Sequence, residues 1–119
     1  MICVDQTVFG FPQGNCLAAC VASLLHVPLE SIPDFSRMEW LDELRRWAEP
    51  HGFYPLCFSL DTNWRPPGLY ILGGQSPRGD FLHAVIARGS DIVHDPHPSR
   101  AGVLTHVDAT IFVRLDPAP

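Results

Sequence analysis

Two kinds of periodicity divide the chain near Gly52. From Cys16 to about His26 the run CLAACVASLLH is apolar nearly all round, which in a helix means burial on every side. Asn15 stands where an N-cap is wanted, and Pro28 stops the helix. Ser36 and Glu39 form an S-x-x-E capping box that opens a second helix. There Trp40, Leu41, Leu44, Trp47 and Ala48 recur at core-facing spacing, so the Trp40/Trp47 stripe reads as core packing. Glu43, Arg45, Arg46 and Glu49 cover most of the outer face, and Gly52 ends the helix. Beyond it the period becomes extended. Short apolar runs at 53–60, 68–74, 82–89, 91–96 and 110–116 alternate with Gly-, Pro- and Asp-rich turns, the pattern of an antiparallel sheet. Residues 1–15, with Gly10, Pro12 and Gly14, read as loop, and the last few residues as a frayed end. The sum predicts an α+β fold with the first helix packed against the sheet.

Composition narrows the function classes. A chain of 119 residues, 46% apolar and 18% charged, predicts one folded domain over 1–119 with a real core. The formal charge is −5, and the eight basic residues are all Arg. A nucleic-acid partner is therefore not expected, since phosphate binding needs clustered positive charge. Without Lys there is no Schiff base, pyridoxal site or Walker-type phosphate loop. No segment approaches the roughly 18 consecutive apolar residues of a membrane helix, and MICVDQTVFG has no signal-peptide pattern. The expectation is a cytoplasmic chain whose cysteines, Cys3, Cys16, Cys20 and Cys57, are thiols. They contain no C-x-x-C pair, which argues against zinc ribbons and thioredoxin-like motifs.

One thiol stands apart. Cys20, Cys57 and Cys3 read as small structural residues. Cys16 instead opens a buried helix after a Gly-Asn loop, where free N–H groups and the helix dipole favour a thiolate. His83 begins the strand HAVIARG, and Asp95 follows in VHDPH. Nucleophile at a helix start, base on one strand and orienter on the next make the Cys-His-Asp logic of acyl transfer. Strand register tests it. A plain two-residue Gly89-Ser90 turn would put Asp95 on the face opposite His83, so the triad demands a three-residue loop, Gly89 to Asp91, or a bulge. The stretch GGQSPRGD (73–80), just before His83, reads either as a mobile lid or as an ordinary exposed loop. A metal-dependent hydrolase built on His83, His94 and His97 is the alternative chemistry, although no metal motif is complete. A third reading is a non-catalytic binding module on the same fold.

The residues Q…GNCLAACVASLL, then HAVI, then a strand ending in DP, resemble the papain-like cysteine peptidase superfamily. Within it the nearest likeness is to the small peptidase domains that cleave double-glycine leader peptides, and to compact phage and bacterial relatives. Asn15 and Leu17 replace the usual neighbours of the family's cysteine. The resemblance implies a papain-like fold, a buried N-terminal helix carrying the cysteine on a C-terminal antiparallel sheet. It implies Cys16 as nucleophile, His83 as general base and Asp95 as orienter. It also implies a Gln that joins the Cys16 N–H in holding the oxyanion. Gln6 and Gln13 compete for that role; Gln6 is preferred, because Gln13 has little room to fold over the thiol. The expected activity is hydrolysis of an amide or thioester in a peptide or protein substrate, without a cofactor, metal or membrane. Deamidation or transglutamination would use the same triad.

Overall fold

The computed structural model describes residues 1–10, 14–33, 35 and 39–116. The fold is α+β, with α1 at Cys16–Leu25, α2 at Trp40–Ala48 and five strands. These are β1 (Phe53–Ser59), β2 (Leu69–Gln75), β3 (Leu82–Arg88), β4 (Asp91–His94) and β5 (Asp108–Arg114). They form one sheet in the order β1-β5-β2-β3-β4, every neighbouring pair antiparallel. β5, last in sequence, thus lies between β1 and β2.

α1 is buried from Ala18 to Ser23, as an all-round apolar helix must be, and stops at a left-handed His26 (φ 58°). Its start differs from expectation. The Asn15 side chain does not cap the helix. Its Oδ1 accepts the N–H groups of Thr7 and Val8, both at 2.9 Å, and its Nδ2 donates to Thr7 Oγ1. The two N–H groups of the preceding segment outcompete those of the helix. α2 opens at Trp40 with Glu39 at its cap, later than the capping box predicts; Ser36 lies outside the described residues. A 3₁₀ turn (Glu49–His51) follows and ends at left-handed Gly52, φ 86°, which feeds β1.

The sheet buries apolar residues on both faces. Ile71, Ala84 and Ile86 meet Cys20 and Val21 of α1, Leu44 of α2 and Phe35. On the opposite face Tyr70, Leu72, Val85, Ala87 and Ala109 pack beneath Phe58, Leu60, Val103 and Ile111. Alternate residues of β2 and β3 serve different cores, which is why LYIL and HAVIA are unbroken apolar runs. Over its described residues, 1–10 and 14–15, the N-terminal segment forms neither helix nor strand. It fastens α1 to the end of β4: Val4 N–H donates to Ser23 Oγ at 2.9 Å and Gln6 N–H to the Pro96 carbonyl at 3.0 Å.

The 73–80 stretch splits in two. Gly73–Gln75 belong to β2, and Ser76, buried, donates its N–H to Phe81 O at 2.8 Å to close the β2–β3 hairpin. Among the described residues no helix is long and apolar enough to cross a membrane.

Leu44 is fully buried and ties α2 to the core. Leu44→Ala should cost about 2–5 kcal/mol, read as a lowered urea midpoint with an unchanged slope.

Candidate active site

The site begins with an irregularity in β4. Arg88 opposes Asp91 and Ala87 opposes Ile92, but Ile86 opposes His94, so Val93 is an extra residue. The turn itself is the two-residue Gly89-Ser90, not the three-residue loop. The bulge alone moves Asp95 onto the face that His83 occupies. There His83 Nε2 meets Asp95 Oδ1 at 2.7 Å, with the two residues 3% and 4% exposed.

The carboxylate is held from several sides. Oδ1 also accepts the His97 N–H at 2.9 Å, and Oδ2 accepts the Gly102 N–H at 2.7 Å. Arg100 Nη1 donates to the Asp95 carbonyl and Asp5 Oδ1, while Nη2 donates to Asp5 Oδ2. Burial alone would raise the Asp95 pKa, but the His83 ring and the two N–H groups outweigh it and hold the carboxyl below its ordinary value. An ionised carboxylate only accepts, so the proton between the pair sits on His83 Nε2. Nδ1 is left with its lone pair free for a proton. Burial lowers the His83 pKa further than Asp95 raises it, so the ring rests neutral.

Cys16 is the first residue of α1 and shares a cavity of about 440 Å³ with His83. Gly14 makes this approach possible: a Cβ there would collide with the Gly10 carbonyl, which accepts the Gly14 N–H at 2.9 Å. The backbone N–H groups of Ala84, Leu17 and Cys16 itself reach the sulfur. They do not make it a thiolate. Burial pushes the Cys16 thiol up, the three N–H groups pull it partly back, and the Asp95 charge adds to the rise. The expected thiolate is therefore corrected to a neutral thiol, because desolvation at this helix start exceeds the help of the helix N–H groups. No hydrogen bond joins Cys16 to His83 in this resting arrangement; they meet as two walls of one cavity. Cys20 and Cys57 are also raised, each first by burial, and Cys3 is exposed.

Gln6 is 5% exposed and lies beside the Asp95-Pro96 corner, outside the cavity lining. Its Nε2 donates to the Val8 carbonyl at 3.0 Å and its buried Oε1 has no partner. Gln13 lies outside the described residues. The three histidines of the metal alternative are not assembled. His94 Nε2 turns to the Val4 carbonyl at 2.9 Å, while His97 stands edge-on to His83 with ring centres 6.3 Å apart. Among the described residues no three His, Cys, Asp or Glu side chains gather where a metal could be held.

Sequence reasoning missed Asp108 and Thr110, which β5 contributes to the cavity floor. An Asp ahead of an apolar run looks like a turn residue, and nothing local says that the strand it opens will be central. No protein-family model matches the chain, and no curated protein or solved structure matches it.

His83, His97 and His106 all lie below the ordinary His pKa, burial being the first cause in each case. The unfolded chain therefore binds protons that the folded chain resists, so their share of stability is lost as pH falls below about 6.5. The urea midpoint should drop between about pH 7 and about pH 5.5, and His83→Gln should shrink that drop.

Proposed function

We propose that the chain is a cysteine-dependent hydrolase with a papain-like arrangement, cleaving an amide or thioester bond in a peptide or protein. The observation that carries this reading is the buried His83–Asp95 hydrogen bond at the edge of the cavity that Cys16 opens from its helix start. Because thiol and imidazole both rest neutral, proton transfer accompanies attack. The Sγ–H proton passes to His83 Nδ1 as sulfur bonds to the carbonyl carbon. The oxyanion is held by backbone N–H groups of the helix start. Collapse breaks the C–N bond, and the leaving amine takes the proton from His83. Water, giving a proton to His83, then displaces sulfur to release the acid and restore the thiol. Asp95 keeps Nδ1 toward the substrate throughout.

A non-catalytic binding module has one observation in its favour, the raised thiol with no hydrogen bond to His83. The two readings part on a reagent that must be positioned in the cavity as well as attacked by a thiol. Small alkylators do not discriminate, since Cys3 is exposed. A peptidyl acyloxymethyl ketone should modify Cys16 and spare Cys3, Cys20 and Cys57. Cys16→Ser should abolish peptide hydrolysis while leaving the melting temperature nearly unchanged, and hydrolysis that survives it overturns the reading. The acid limb of kcat/KM should fall through a His pKa below about 6.5 and be absent at the thiol's own titration.

The family resemblance adds Gln6 as a second oxyanion donor, which requires its Nε2 to leave the Val8 carbonyl. Gln6→Ala should then lower kcat by about 10²–10³ with Cys16 modification retained.

A further inference from the structure

The cavity of the proposed hydrolase carries a carboxylate that the reaction does not use. Ala84, Gly73 and Asp108 oppose one another in a row across β3, β2 and β5. Two strand spacings, roughly 10 Å, therefore separate Asp108 from the Ala84 backbone whose N–H reaches the Cys16 sulfur. The Asp108 side chain leans back over Gly73, so its carboxylate lies about one strand spacing, roughly 5 Å, from Ala84, within reach of the side chain of a residue flanking the reacting bond. Among the described residues no Arg lines this cavity, and no hydrogen bond or ion pair holds the Asp108 side chain. Its carboxyl pKa is raised by burial. A desolvated carboxylate without a partner costs stability, and a cation arriving in the cavity would offset that cost. Space for the carboxylate comes from Gly73, where a Cβ would collide with Asp108 Oδ1. Phe35, Trp40 and Ile71 give the same cavity apolar walls. Apolar walls and an unpaired carboxylate in one cavity suit an alkyl stem with a cationic head.

We propose that Asp108 is the specificity-determining residue of the cavity, selecting a peptide with a Lys or Arg side chain beside the bond that is cut. The proposal rests on the hydrolase reading, and Asp80 at the cavity mouth adds a second negative charge to the same effect. The probe that separates them is n-butylguanidinium, set against its neutral isostere n-butylurea, with binding followed by NMR titration. Wild-type protein should bind the guanidinium about tenfold or more tightly than the urea. Asp108→Asn should erase that difference. Gly73→Ala, which keeps the carboxylate but displaces it, should do the same; Asp108 can rotate away, so the variant should fold. Guanidinium binding that is unchanged in Asp108→Asn, or no tighter than that of the urea in wild type, overturns the proposal. In peptides, the Arg-over-citrulline ratio of kcat/KM should fall about tenfold or more in Asp108→Asn. Guanidinium binding intact in a protein that cleaves no Lys or Arg peptide overturns the hydrolase reading and leaves the cation site standing.

Discussion

A buried imidazole hydrogen-bonded to a buried carboxylate, His83 Nε2 to Asp95 Oδ1 at 2.7 Å, exists here because β4 contains one residue too many. With regular pairing, the same two side chains would face opposite sides of the sheet. Val93 absorbs the mismatch and is itself exposed, so the bulge asks nothing of the core. The rest of the corner then stabilises a charge that burial disfavours. His97 and Gly102 donate backbone N–H groups to Asp95, and Arg100 bridges its carbonyl to Asp5 of the N-terminal segment. The Asp95 carboxylate thus organises the loop, and the Asp5 carboxylate, through Arg100, ties the N-terminal segment to it, by hydrogen bonds to charge that are individually stronger than neutral ones.

Burial sets the character of the site on the other side as well. It keeps the Cys16 sulfur protonated and His83 neutral, against the pull of three N–H groups on one and of Asp95 on the other. Such a site holds no thiolate–imidazolium pair at rest, only the Asp95 carboxylate. In the proposed reaction, charge develops only as a substrate carbonyl arrives, in surroundings where fixed dipoles act more strongly than they do in water. A resting thiol is also less exposed to chance oxidation than a thiolate.

Much of this was legible in the residues, for identifiable reasons. α1 and the five extended segments follow from apolar periodicity and turn residues, and the need for a bulge or odd loop follows from counting between His83 and Asp95. Three features were hidden. Asn15 has the right identity and position for a cap, yet its side chain serves Thr7 and Val8, a competition between donors separated in sequence but near in space. The thiol's ionisation was misjudged because a helix start is visible in sequence and the depth of its burial is not. Asp108 was passed over because strand order is a tertiary fact: the residues around 108 do not reveal that β5 will insert beside β2.

That insertion has a consequence for how the molecule comes together. β1 pairs only with β5, and β2 meets β5 on one side and β3 on the other. Until residues 108–114 arrive, β1 has no partner and the β2–β3–β4 sheet ends in an open edge. The helices and the His83–Asp95 corner are encoded upstream and could form around that incomplete sheet. The cavity floor, with Asp108 and Thr110, could not. During synthesis the chain would therefore hold the Cys16 thiol over an unfinished groove, and closure by long-range pairing would be the slow step of folding. The cavity floor would form later than the helix start and the corner that face it.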